Sequence, residues 1–270
     1  MAGESRGRQR RQVTIAGRKN LVAGAQALAV PVMFLTAWQV SSSQGWINAF
    51  FFPPPSVVAG AAWTMLIDGS LPREIGATLY RFTMGAAIGC ILGLAAGVAM
   101  GASELMRRAG QPLVAAFYTT PKVALLPLVM LILGIGDASR IALIAAVAFI
   151  ILALQAQDAI RAVEPQYVEM ARNYGAGRWA VISRVYLPAS LPQIFTGLRI
   201  ALSRALVTLI SLEMVSSTDG IGAMIWMSWE SLATVRLYVG VLAAIVVGLA
   251  MHGSLVGLEA TMAPWRRRPK

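Results

Sequence analysis

Residues 169–188 read EMARNYGAGRWAVISRVYLP, and this stretch decides the fold because its polarity contradicts its surroundings. Glu169, Arg172, Arg178 and Arg184 lie within it, while strongly apolar runs flank it on both sides. An apolar chain that interrupts itself with a long charge-bearing segment is placing that segment in water at one face of a bilayer. Val168, Ala171, Gly175, Trp179 and Ile182 recur at intervals of three and four, so one helical face is apolar while Glu169, Arg172 and Asn173 project elsewhere. Gly175 and Gly177 are poor helix-interior residues and good C-terminal caps. The spacing predicts a helix over about 165–174, a glycine turn, and a second helix to about 186, with Pro188 and Pro192 marking entry to the next apolar run. Physics alone leaves two readings open: a helical knob that docks in a partner's groove, or an amphipathic loop lying on lipid headgroups.

Composition agrees with a membrane setting. Of 270 residues, 57% are hydrophobic and 13% charged, against roughly 25% charged in a soluble domain, and mean hydropathy is +0.66. Most of this chain cannot face water. The net charge of +11 does not imply nucleic acid, because the basic residues cluster between and beyond apolar runs instead of interleaving with aromatics along one soluble face. The single cysteine, Cys90, sits in an apolar run and is expected to be buried and inert, with no internal disulfide and no Cys-based metal site.

A crossing needs about 20 apolar residues, and six stretches qualify: about 21–40, 76–102, 111–134, 140–156, 191–215 and 237–258. Lys122 interrupts the third, and Arg199, Arg204 and Glu213 punctuate the fifth. Arg6, Arg8, Arg10, Arg11, Arg18, Lys19, Arg107, Arg108, Arg161, Arg172, Arg178, Arg184, Arg266, Arg267, Arg268 and Lys270 occupy alternate connections and the termini, sixteen of the 23 basic residues. The intervening loops hold only Arg73, Arg140 and Arg236. The positive-inside rule therefore places both termini and the loop at about 160–188 in the cytoplasm. The organisation expected is a basic segment 1–20, a transmembrane domain 21–260 and a basic tail 261–270. Arg10-Arg11 and Ala27-Leu28-Ala29 imitate a signal peptide, but hydrophobicity continues through Val40, so a retained first span is expected.

Gly85, Gly89, Gly93, Gly97 and Gly101 form a ladder at four-residue spacing, which puts small residues on one helix face and lets membrane helices approach closely. Phe52-Pro53-Pro54-Pro55-Ser56 predicts a stiff extended connection, with Ser56 capping a short amphipathic helix towards Ile67. Charges inside spans usually face a cavity or a partner. Lys122 is expected to face a cavity, a subunit interface or a carboxylate such as Glu213 on another helix. Arg199 and Glu213 lie about 21 Å apart along one helix and cannot pair; Arg199 is expected to snorkel. His252 is expected to be a packed polar residue.

The segment resembles the EAA loop of binding-protein-dependent ABC importer permeases: Glu169, Met170 where the family usually has Ala, Ala171, Gly175, then Leu187-Pro188. Pro121, Ala124-Leu125-Leu126-Pro127-Leu128 and Gly134-Ile135-Gly136 are similar to the third-span signature of the nitrate, sulfonate and taurine subfamily. So are Phe52 to Ser56, and Phe195-Thr196-Gly197-Leu198-Arg199 followed by Glu213-Met214, and the likeness extends over about 30–265. It implies an all-α membrane protein with about six transmembrane helices and the type I ABC importer permease fold, in a bacterial cytoplasmic (inner) membrane. It implies that Glu169, Met170, Ala171, Asn173, Gly175, Ala176, Leu187 and Pro188 couple the chain to an ATPase. The implied partners are a second permease copy, two ATP-binding subunits, a periplasmic or lipid-anchored solute-binding protein and membrane lipid, with no nucleic acid.

No Gly-x-x-x-x-Gly-Lys-Ser/Thr loop occurs, so the chain is not expected to be an enzyme or to hold a cofactor; ATP and Mg would belong to the ATPase subunits. Lys122, Arg204 and Glu213 are the candidate substrate-path residues. The expected substrate is a small anion such as a sulfonate, taurine, nitrate or bicarbonate. The alternatives are a non-anionic solute such as a pyrimidine precursor, or an ion-coupled carrier, against which the halves of the chain show no repeat.

Overall fold

A computed structural model describes residues 29–262 and divides the chain into two compact units, Met1–Thr64 and Met65–Lys270. The basic segment 1–20, the signal-like Ala27-Leu28 and the tail arginines lie outside the described residues. Among those described, every regular element is a helix or helical turn.

In the first unit, residues 29–43 form α1, and most of α2 (Pro55–Ile67) follows. The proline-rich connection between them is pinned to α1 by side chains. Gln39 Oε1 accepts from the Ser56 amide at 3.0 Å, Gln39 Nε2 donates to Ser56 Oγ at 3.1 Å, and Ser42 Oγ donates to the Phe52 carbonyl at 2.7 Å. α2 departs from expectation in starting at Pro55, whose missing N–H suits a first helical position. It is also apolar all round, not amphipathic, since Thr64 is its only polar side chain beyond Ser56.

The second unit contains α3 (Ser70–Ala102), α4 (Glu104–Thr119), a 3-10 turn (Lys122–Leu125), α5 (Leu126–Leu133) and α6 (Asp137–Arg161). There follow α7 (Pro165–Asn173), α8 (Arg178–Val181), a π turn (Ile182–Tyr186), α9 (Leu187–Ser216), α10 (Ile221–Glu230) and α11 (Thr234–Met262). α3, α6 and α11 are each long and apolar enough to cross a membrane. α9, at 30 residues, spans about 45 Å but carries Arg199, Arg204 and Glu213.

The glycine ladder joins α3 to α6 in parallel. A Cβ on Gly85 would lie 2.8 Å from Ile144 Cβ, one on Gly93 2.6 Å from the Phe149 carbonyl oxygen, and one on Gly97 2.5 Å from that of Ala153. Gly101 meets Ile160 in the same way, at 2.6 Å. Only hydrogen fits along this seam, and the backbones touch where side chains would otherwise hold them apart.

The third expected span is not one straight helix. α4 and the following helical segment are bent by 91°. Thr120, held extended at φ −71°, ψ 131° as a residue preceding proline must be, ends α4, and Pro121 cannot continue its hydrogen bonding. The second helix of the 169–188 stretch is also not separate from the fifth span: α8 passes through the π turn into α9 without a break. Pro188 is the second residue of α9, directly after the π turn.

Candidate functional site

Three features of the second unit bear on function, and α7 supplies the first. Its C-terminus closes with paired backbone bonds, Gly175 N–H to Arg172 O at 2.9 Å and Ala176 N–H to Ala171 O at 3.0 Å. This closure needs a left-handed residue, and Gly175 adopts φ +79°. Val168 is buried and fastens α7 to the bundle. Tyr167, Met170 and Tyr174 stay exposed, Tyr174 at 88%. With Ala171, Arg184, Val185, Pro188 and Ala189 they line a groove of about 570 Å³. Trp179, which the spacing places on the apolar face with Val168, is 77% exposed, and the left-handed turn at Gly175 stands between the two.

The expected coupling residues therefore separate into roles. Met170, Ala171 and Pro188 line the groove, and Glu169 and Asn173 project into solvent. Gly175 and Ala176 form the cap. Leu187 instead packs on the core cluster of Ala156, Ala159 and Ile194, and so anchors the knob.

The second feature is a cavity of about 590 Å³ bounded by α4, α6, α9 and the 3-10 turn. Lys122 and Arg204, separated by 82 positions in sequence, both line it. Gln111, Gln155, Gln157, Asp158 and Thr208 supply further polar groups. Lys122 Nζ donates to the carbonyls of Phe117 and Tyr118 at 2.6 and 2.7 Å and stands 5.8 Å from the Tyr118 ring centroid. It thus satisfies the Tyr118 carbonyl at the end of α4 and adds a second donor to that of Phe117, which also accepts from the Thr120 amide. Gln157 is buried, and its Oε1 has no hydrogen-bond partner.

Glu213 does not line this cavity. It is fully buried at the opposite end of the bundle from α7, in a network that is the third feature. Arg81 Nη1 donates to Glu213 Oε1 at 2.9 Å, Arg81 Nε to Asp137 Oδ1 at 2.6 Å, and Arg81 Nη2 to Asp219 Oδ1 at 2.5 Å. Thr78 Oγ1 lies 2.9 Å from Glu213 Oε2 and accepts from the Ile221 amide at 2.8 Å, while the Gly222 amide donates to Glu213 Oε2 at 3.0 Å. Gly220, at φ +102°, passes so close that a Cβ would lie 2.5 Å from Glu213 Oε1. Arg140, expected in a loop, is buried and donates to Asp137 at 3.3 Å and to the Ser216 carbonyl. The network ties α3, α6, α9 and the start of α10 together.

The Lys122–Glu213 contact considered from sequence is therefore replaced by Arg81–Glu213. Residue types alone could have raised Arg81 as a candidate, since it is a cation within the second apolar run; its partners come from three distant segments. Arg199 likewise pairs with Glu259 on α11 instead of snorkelling. His252 lies exposed on α11 instead of packed, and Cys90 is half-buried. Among the described residues no His, Cys, Asp and Glu group is arranged to hold a metal ion.

Comparison with known proteins gives the family of this helical bundle. Residues 89–263 match the family described as binding-protein-dependent transport system inner membrane component. The taurine transport system permease protein TauC of Escherichia coli (strain K12) is 30% identical over 238 residues, 86% of each chain. The putative aliphatic sulfonates transport permease protein SsuC of the same organism is 32% identical over 236 residues, 87% of this chain and 90% of that one. A chain of the MetNI methionine ABC transporter, in an inward-facing structure, superposes with a TM-score of 0.61 at 21% identity, over 73% of this chain and 96% of that chain. A chain of a bacterial ABC transporter that imports alginate gives 0.58 at 19% identity, over 94% and 98%. The chain belongs to the binding-protein-dependent inner membrane permease family. It is a membrane-embedded ABC importer permease, and not itself an enzyme.

Proposed function

We propose that this permease carries a small anion of the sulfonate class through the cavity that Lys122 and Arg204 share. The observation that carries this reading is their meeting at one polar cavity, two cations against the single carboxylate Asp158. Charges at membrane depth are retained where they serve a cavity or a partner. The similarity to TauC and SsuC points to the same substrate class. Glu213, locked to Arg81, holds the bundle and stays outside the path.

Coupling runs through the α7 knob. Exposed Tyr167, Met170 and Tyr174 around the groove give a water-facing apolar surface suited to a partner's cleft. The partner is an ATP-binding subunit, one for each protomer of a permease dimer, and ATP and Mg bind there. A solute-binding protein delivers substrate at the opposite face, and both termini and the knob lie in the cytoplasm. The test is uptake by proteoliposomes containing the assembled transporter. ATP-dependent accumulation of taurine or an alkanesulfonate is expected. Uptake indifferent to ATP, or preference for a neutral pyrimidine over the sulfonates, would overturn the proposal.

A further inference from the structure

The cavity that Lys122 and Arg204 line has a second end of opposite character, and helix register places it. α6 and α9 run antiparallel: a Cβ on Gly197 would lie 2.5 Å from Gln155 Cβ, and Arg140 Nε donates to Ser216 Oγ at 3.2 Å. These two contacts set Arg204 level with about Ile150, close to the middle of α6 (Asp137–Arg161). Tyr118, whose carbonyl holds Lys122, stands at a similar level, because α4 starts at Glu104, 3.9 Å from Arg161, and rises about 21 Å to Tyr118. Gln157 and Asp158 line the same cavity about 10–12 Å nearer the α7 end.

Neither end is neutralised from within. Lys122 uses two of its three N–H donors on the Phe117 and Tyr118 carbonyls. Arg204 is exposed, and among the described residues its guanidinium has no hydrogen-bond or ion-pair partner. The exposed Asp158 carboxylate is equally unpartnered, because Arg161, three residues on, reaches Glu104 instead. Gln157 is buried, and its Oε1 accepts from nothing. A plain anion would balance the cations and leave Asp158 and Gln157 as two acceptors without a donor, the carboxylate standing between that anion and the α7 end. An ammonium group supplies three donors and the missing positive charge.

We infer that this cavity takes a zwitterion with its charges at opposite ends, an aminoalkanesulfonate, and that Asp158, with Gln157, selects it over a plain sulfonate by accepting from the ammonium. The inference rests on the anion reading of the same cavity proposed above and narrows it. Arg204 and Lys122 hold the sulfonate near the middle of α6. The long Arg204 side chain closes part of the distance to Asp158, and a short alkyl chain between sulfonate and ammonium closes the rest. A zwitterion with adjacent charges, such as an α-amino acid, does not reach both ends.

The experiment is equilibrium binding of radiolabelled taurine and ethanesulfonate to the detergent-purified permease–ATPase complex, without the solute-binding protein, so that selectivity belongs to the permease. Ethanesulfonate carries the same sulfonate and no ammonium. Taurine is expected to bind roughly tenfold more tightly, the worth of one charge-assisted hydrogen bond, and glycine, with its charges on neighbouring carbons, is expected not to compete. Asp158→Asn should abolish most of the preference for taurine, and Asp158→Glu should keep it. Equal binding of the two sulfonates by the unaltered complex, a preference unmoved by Asp158→Asn, or competition by glycine as strong as that by taurine would overturn the inference and leave the anion reading standing. Binding of neither sulfonate would overturn both.

Discussion

Arg81 Nη1 stands 2.9 Å from Glu213 Oε1, with Arg81 3% exposed and Glu213 fully buried, and 132 residues separate them in sequence. A buried charge is tolerated only when paired and hydrogen-bonded. Here both sides are satisfied, the guanidinium by three carboxylates and the Glu213 carboxylate by Thr78, Arg81 and the Gly222 amide. Removing one partner of such a pair strands the other and costs about 3–5 kcal/mol. Arg81→Met is expected to lower the thermal stability of the detergent-purified permease and its yield in the membrane. The exchanged pair, Arg81→Glu with Glu213→Arg, is expected not to recover, because Asp137 and Asp219 would then face a carboxylate. Thermal denaturation followed by size-exclusion chromatography reads both outcomes, and full recovery of the exchanged pair would show that two residues, not a network, carry the stability.

Lys122 gives a contrasting expectation. Lys122→Gln and Arg204→Gln should each leave assembly with the ATPase intact and reduce anion uptake, through a higher KM. The combination Lys122→Glu with Glu213→Lys should fail to assemble, since a lysine at 213 would lie against Arg81. Initial uptake rates across a range of substrate concentrations, beside pull-down of the ATPase, separate the two effects. Unchanged uptake in both single variants would remove these cations from the path.

The α3–α6 seam can be tested by volume. Gly97→Val would drive a side chain into the Ala153 carbonyl, and Gly93→Val into that of Phe149. Overpacking of this kind costs about 1–3 kcal/mol where some shift is possible, and here backbone would have to move. Gly76→Ala meets nothing within 4 Å and is expected to stay within about 0.5 kcal/mol of the parent. Melting temperatures of the three purified variants decide whether the ladder is a packing device.

The knob should separate coupling from folding. A Cβ at Gly175 meets no atom within 4 Å, so the cost of Gly175→Val lies chiefly in the left-handed backbone at φ +79°, about 1–3 kcal/mol borne by the α7 cap. Glu169→Lys reverses an exposed charge on the same helix. Both variants are expected to reach the membrane and to lose ATP-driven uptake by tenfold or more while ATP hydrolysis persists. Gly177→Ala, at an ordinary φ of −69°, is expected to transport normally. Undiminished uptake with Glu169→Lys and Gly175→Val would remove α7 from coupling.

What could be read without tertiary structure was whatever depends on solvent preference or on neighbours within a few positions. The water-facing stretch at 169–188, the apolar helices on either side of it, the glycine face of α3 and the helix ending at Gly175 follow from hydropathy, four-residue spacing and glycine's freedom at positive φ. Local sequence left undecided which charges meet. Glu213 found Arg81 and not Lys122, Arg199 found Glu259, and Arg140 turned inward towards Ser216. Each of these pairs joins different helices, set in place by how closely α3, α6, α9 and α11 pack. The 91° bend after Thr120 and the unbroken passage from α8 into α9 depended likewise on surroundings, since a helix ends before Pro121 while a continuous helical run carries Pro188. Sequence determined which segments leave water and which helix face is small, because those are properties of the residues themselves; the charge network and the shared Lys122–Arg204 cavity were decided by tertiary structure, because pairing energy depends on distance and burial that arise only when distant helices meet.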